Sequence, residues 1–275
     1  MPTSNGRVSM SAAAKAEAIH ALRRQLLASQ RSQSVQQILP TGLLSLDAIL
    51  PHGGLPVGSL IEWISADVGL NSASIALRSI VPMLTQHGCL AIIDERHEFY
   101  AEAVRCHGIP LSRILLIRPA RSADAAFGAS HNRFVGHNRF VRQATAAHSD
   151  ALWALEQAAR CQGVRVALTF LEQASSAVMR RLQLAVERSG VTIVLIRPAS
   201  IIRQPSFADL RLYVTAAQPT QGALSGRRRM KVQLLRSRHG LQHSGHALLE
   251  VDHETGALHS ISELADSKPA TTPAF

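Results

Sequence analysis

Chemistry in this chain has to come from a short list of side chains. A loop that cradles phosphate needs a lysine directly after a glycine-rich turn, because backbone N–H groups wrap the anion and the ammonium neutralises it. Only three lysines are present, Lys15, Lys231 and Lys268, and none stands between a strand pattern and a helix pattern. The remaining basic residues are all arginine, a bias that a GC-rich genome also produces. Asp94-Glu95-Arg96-His97-Glu98 places acids and a base side by side at the end of an apolar run. With no phosphate loop next to it, ion pairing or capping is the expected role rather than catalysis. His239, His243 and His246 are spaced closely, but Gly240 and Gly245 interrupt any helix and no cysteine lies near. Neither a metal site nor another cofactor is expected. Cys89, Cys106 and Cys161 show no paired spacing, which argues against a disulfide framework and for a reducing, cytoplasmic setting.

Arginine is the abundant reactive group. Twenty-nine basic residues against 19 acidic ones give a net charge of +10. Between Arg203 and Leu249 stand Arg203, Arg211, Arg227, Arg228, Arg229, Lys231, Arg236 and Arg238, opposed only by Asp209. Three readings stay open for this stretch. It contacts single-stranded DNA by neutralising phosphates and releasing counterions; it docks on acidic proteins; or it is a solvated edge that keeps a strand from aggregating. Phe207 and Tyr213 are its only aromatics, so base stacking is a secondary mode.

The elements that must position these residues follow from periodicity. Short apolar runs fall at 60–64, 89–93, 114–117, 164–170, 191–196, 210–214 and 232–235, with amphipathic stretches at 72–86, 98–107, 149–162 and 175–188. Strands alternating with helices predict a mainly parallel, twisted sheet flanked by helices on both faces. After Ile201 strands follow one another, which predicts antiparallel strands at the C-terminal end of the sheet. Residues 11–33 carry a narrow apolar stripe (Ile19, Leu22, Leu26, Leu27) behind a possible cap at Ser11, predicting a helical N-terminal arm. The expected organisation is an arm and linker over 1–37, one α/β domain over 38–262, and a disordered tail over 263–275. His131-Asn-Arg-Phe-Val135 recurs as His137-Asn-Arg-Phe-Val141. It reads as a tandem duplication in a surface loop, or as a basic and aromatic nucleic-acid contact. No apolar stretch approaches the ~18 residues of a membrane span, and no secretory leader is expected.

The most specific stretch is Pro40-Thr-Gly-Leu-Leu-Ser-Leu-Asp47-Ala-Ile-Leu-Pro-His-Gly53-Gly54-Leu-Pro56-Val-Gly58-Ser-Leu-Ile-Glu62. It resembles the entry into the ATPase core of RecA-like recombinases, where Thr-Gly, Leu-Asp and Gly-Gly-Leu-Pro-x-Gly lead into the first core strand. The resemblance implies a Walker loop directly after residue 64. Against G-x-x-x-x-G-K-[ST], Ser65 stands for the first glycine, Leu70 for the second and Asn71 for the lysine, while Asp67 adds negative charge and only Ser72 remains. Arg96, next to Glu95, falls where recombinases carry the water-activating glutamate. The run 164–170 leads into Leu171-Glu172 rather than a magnesium-organising aspartate. These replacements predict a pseudo-ATPase.

With Ala151-Leu-Trp153-Ala-Leu-Glu156-Gln, Leu195-Ile-Arg197-Pro198, Ala208-Asp-Leu-Arg211-Leu and the basic strand 232–238, the chain is similar to the ImuA group. These are RecA-like, SulA-related accessory proteins of an inducible mutagenesis cassette. That resemblance implies a non-catalytic, cytoplasmic and nucleoid-associated role in SOS-inducible, error-prone translesion synthesis. Its partners would be a Y-family-like polymerase subunit (ImuB), an error-prone replicative-type polymerase, RecA and single-stranded DNA. In recombinases the loop after the strand matching 191–196 contacts single-stranded DNA, which places Arg203 near that position. Two alternatives stand beside this: a RecA-type ATPase of recombination and repair with an unusual loop, and a SulA-like inhibitor of cell division.

Overall fold

The computed structural model describes residues 36–67, 72–85, 88–97, 99–119, 138–218, 227–238, 245–252 and 254–261. The chain divides between Gln37 and Ile38, and every element below belongs to the second unit. The predicted N-terminal helix, the C-terminal tail and the first copy of the tandem repeat lie outside the described residues.

A two-stranded ribbon, β1 (Ile38–Leu39) with β2 (Leu55–Pro56), brackets helix α1 (Leu44–Ile49). Strand β3 (Leu60–Ser65) then enters the main sheet, and α2 (Ser72–Ile80) leaves it. There follow β4 (Cys89–Ile93), α3 (Glu102–Arg105), β5 (Ile114–Ile117), α4 (Asn138–Ala158), β6 (Val164–Phe170), α5 (Ser176–Ser189) and β7 (Thr192–Pro198). Four strands complete it: β8 (Leu210–Ala216), β9 (Arg227–Ser237), β10 (His246–Asp252) and β11 (Leu258–Ile261).

The nine strands lie in the order β11-β10-β9-β8-β3-β7-β6-β4-β5. Pairing is parallel from β8 through β5 and antiparallel from β8 through β11. The architecture is thus α/β, a mostly parallel sheet flanked by helices with antiparallel C-terminal strands. Strand β3 is central and buried along Leu60–Ile64, as a strand covered on both faces must be. One face packs Ile61, Trp63, Leu90, Leu168 and Leu212 against α1 and α2. The other packs Leu60, Ala91, Ala167, Ile193 and Leu195 against α4 and α5.

Several elements depart from the periodicity, each for a local reason. The helix from Ser72 stops at Ile80 and tightens into a 3-10 turn over Val81–Leu84, where Pro82 has no N–H to continue it. The predicted helix over 98–107 shrinks to Glu102–Arg105, because the Asp94 carboxylate accepts from Phe99 N–H and His97 takes a positive φ of 59°. Conversely, β9 extends far beyond 232–235. Met230, Val232 and Leu234 alternate with polar residues, the pattern of a strand buried on one face. Ala247, Leu249 and Val251 make β10 in the same way. The second copy of the tandem repeat is helical from Asn138, so it opens α4 rather than lying in a loop.

Candidate functional site

The recombinase-like entry segment is a hydrogen-bonded turn. Asp47 in α1 sends Oδ1 back to Thr41 N–H and Thr41 Oγ1–H, both at 2.8 Å, and Oδ2 to Gly42 N–H at 3.2 Å. Thr41 Oγ1 in turn accepts from Leu43 N–H. Gly54 lies against the ribbon so closely that a Cβ there would stand 2.4 Å from the Leu39 carbonyl oxygen. Gly58 has φ +67°, and a Cβ on it would meet Gly190 Cα at 3.1 Å. Thr41, Gly42, Asp47, Gly54 and Gly58 are all used in bringing the chain to the start of β3.

At the other end of β3 the phosphate-loop position begins. Ser65 Oγ–H donates to the Asp67 carbonyl at 2.7 Å, and Ala66 N–H donates to Val214 of β8. Ser72 opens α2 and is buried. Leu70 and Asn71 lie outside the described residues.

The ends of β4 and β6, beyond β7 in the sheet, carry the acidic cluster, already engaged. Asp94 is buried and accepts from Arg118 Nε at 3.0 Å. Glu95 Oε2 is 3.2 Å from His148 Nδ1 on α4. Arg96 pairs with Glu172, which follows β6, and His97 Nε2 lies 3.2 Å from the Pro119 carbonyl. Thr169 Oγ1–H donates to the Ile93 carbonyl, tying β6 to β4. Among the described residues no group of three or more His, Cys, Asp or Glu side chains is placed to hold a metal. Among them, too, no helix is long and apolar enough to cross a membrane.

The basic candidates do not form one surface. Arg227 Nη1 and Arg229 Nε contact Glu250 at 3.2 Å each, and Arg227 Nε lies 3.8 Å from Asp252. Hydrogen bonds from Thr255, backbone and then side chain, hold the Asp252 carboxyl below its usual range, assisted by Glu254 N–H and the charge of Arg227. Charge counting up to Leu249 stops one residue short of Glu250, whose Cα faces Arg229, while Asp252 faces Arg227. Arg228 alternates to the opposite face, and Lys231 faces Leu248 and Thr215 on the neighbouring strands. Nine residues along β9, about 30 Å away, Arg236 donates to the Ser206 carbonyl at 2.7 Å. Arg238 lies 3.4 Å from Glu187 and 3.6 Å from Asp209. Arg203 is exposed on the segment joining β7 to β8, the segment whose Ser206 Arg236 contacts. Arg180 of α5 lies 5.6 Å from the Phe207 ring centre on the same segment.

Arg211 is not part of any basic surface, contrary to the sequence count. It is buried, with Arg197, around the carboxylate of Glu62. Sequence reasoning passed over this cluster. Its signal was a glutamate in an otherwise apolar central strand, flanked in space by two arginines that also interrupt apolar runs.

No protein-family model matches the chain. Parts of it are similar to curated RecA proteins. RecA of Petrotoga mobilis is 30% identical over 82 residues, 30% of this chain and 22% of the relative. A plasmid-borne RecA of Lactococcus lactis is 30% identical over 139 residues, 49% of this chain and 37% of the relative. RecA of Bartonella quintana is 33% identical over 97 residues, 35% of this chain and 28% of the relative. The chain thus spans between 22% and 37% of the length of these relatives. With the mostly parallel sheet and its antiparallel extension, this distant and partial similarity supports a RecA-like protein.

Proposed function

We propose that the chain is a non-catalytic, RecA-like accessory protein of inducible, error-prone translesion DNA synthesis. It acts through surface contacts with a Y-family-like polymerase subunit and an error-prone replicative-type polymerase, with RecA and single-stranded DNA as further partners. The observation that carries the non-catalytic half is the state of the carboxylates at the strand ends. Asp94, Glu95 and Glu172 are the acids nearest the water-activating and magnesium-organising positions, and each is engaged by a side chain of this same chain, Arg118, His148 and Arg96 in turn. Asn71 supplies no positive charge to a triphosphate. A charge-assisted contact contributes about 1.5–3 kcal/mol, so its loss weakens binding roughly ten- to hundredfold. The translesion half rests on the resemblance to the ImuA group.

A complementation experiment tests both halves. Deletion of the gene should lower damage-induced mutation frequency, and the wild type and Ser72→Ala should restore it equally. A deletion without effect sinks the translesion assignment. Failure of a folded, equally abundant Ser72→Ala chain favours the ATPase alternative instead.

Within this reading, the DNA-facing residues are Arg203 and Arg236 beside Phe207, rather than Arg227 and Arg229, whose charges face Glu250 and Asp252. Arg203→Ala with Arg236→Ala should flatten the salt dependence of single-strand affinity by about two in slope, whereas Arg227→Ala with Arg229→Ala should leave it near wild type. Fluorescence anisotropy giving the reverse order would move the contact to the other half of β9.

A further inference from the structure

The segment that joins β7 to β8 is tied to the buried cluster of Glu62, Arg197 and Arg211, which the proposed contacts do not use. Glu62 is 0% exposed in the middle of β3, where a lone carboxylate would be strongly disfavoured. Its Oε1 accepts from Arg197 Nη1 and its Oε2 from Arg211 Nε, each at 2.7 Å. Two guanidinium groups then face one carboxylate; the other donors of Arg211 and the Nε of Arg197 turn to backbone carbonyls, while Arg197 Nη2 is buried without a hydrogen-bond partner. Arg211 reaches Ile201 O at 3.1 Å, Gln204 O at 3.3 Å and Ile202 O at 3.4 Å. Arg197 Nε reaches Leu171 O at 3.2 Å. From the side of β9, Arg236 takes the Ser206 carbonyl.

The carbonyls of Ile201, Ile202, Gln204 and Ser206 are therefore all held by arginine. Besides the arginines, the segment is fixed by local bonds: a 3-10 turn over Ala199–Ile201, Gln204 N–H to the Ile201 carbonyl, Ala208 N–H to Ser206 Oγ, and buried Ile201, Ser206 and Ala208. A buried ion pair contributes little net stability compared with an apolar replacement, and its best-attested use is to select one conformation.

We infer that Glu62 is a positioning residue. Its charge orients Arg211, whose fork clamps residues 201–204, so that Arg203 and the Arg180–Phe207 pair are displayed in one geometry before any partner arrives. A segment ordered in advance loses no conformational freedom on docking. The value of that display rests on the proposed reading that the chain acts through surface contacts; the clamp itself does not.

Hydrogen exchange of the full chain, followed by mass spectrometry, tests the clamp. The amides of Ile202, Gln204 and Ala208 donate within the segment and report on it. Arg211→Lys keeps the cation beside Glu62 but loses the fork; Glu62→Gln keeps the shape but loses the charge. In both, peptides over 199–208 should exchange about tenfold faster or more, while in Arg211→Lys peptides of β3 and β7 keep wild-type protection. Wild-type exchange over 199–208 in Arg211→Lys overturns the inference. So does an equal acceleration throughout β3 and β7, which would make the cluster a general stabiliser. If Glu62→Gln does not fold, Arg211→Lys decides alone. A wild-type chain that protects 199–208 yet binds neither single-stranded DNA nor a polymerase subunit would sink the contact reading and leave the clamp standing.

Discussion

The segments on either side of β3 treat their resemblance to recombinases differently. Before the strand, the recognisable residues have work inside the fold: Asp47 holds Thr41 and Gly42, Gly54 admits the backbone of Leu39, and Gly58 admits Gly190. At the end of the strand and after it, the positions that the resemblance assigns to a triphosphate read Ser65, Leu70 and Asn71. On the reading proposed above, the residues that build the entry are present, and those that would hold phosphate are replaced. A motif that folds a chain and a motif that runs a reaction can sit six residues apart and have separate fates. On the reading proposed here, that is why the chain resembles an ATPase without acting as one.

The contrast can be broken most directly at Gly54. An alanine Cβ would stand 2.4 Å from Leu39 O, 2.6 Å from its carbonyl carbon and 2.8 Å from Pro40 N, all backbone atoms with little freedom to yield. Gly54→Ala should destabilise the protein by about 3 kcal/mol, read as a lowered urea midpoint at unchanged slope. A loss below about 1 kcal/mol would mean the ribbon shifts easily and the glycine is not required.

Asp47→Ala comes next. It leaves Thr41 N–H and Oγ1–H and Gly42 N–H without their acceptor, for a loss of about 2 kcal/mol. Ser65→Ala, at the last residue of the strand, removes only a short local bond to the Asp67 carbonyl and should stay within about 0.5 kcal/mol. Thermal melts that ranked these two variants the other way round would erase the distinction between the segments.

How far the sequence revealed this molecule depended on how each residue's role is written. The buried parallel strands were legible because branched apolar runs mark them: β4, β5 and β6 begin and end where the runs do. Strands β10 and β11 were not, because their apolar residues, Ala247-Leu-Leu249 and Val251 in one and Leu258 and Ile261 in the other, are broken by polar ones into runs shorter than those of the buried strands. Helix α1 was read only as motif text. The acid cluster at the end of β4 was foreseen in its ion-paired role, but its partners Arg118, His148 and Glu172 were not, because they come from distant parts of the chain. The pairing of Arg227 and Arg229 with Glu250, and of Arg197 and Arg211 with Glu62, was hidden because strand register, not sequence distance, brings those charges together. Net charge read along a chain is a poor guide to net charge on a surface.

Equilibrium titration of the purified protein with ATP and magnesium, by calorimetry, tests the central claim most directly. The expected result is no saturable heat up to millimolar nucleotide and no phosphate release above a protein-free blank. Saturable binding that disappears in a folded Ser72→Ala variant would contradict it.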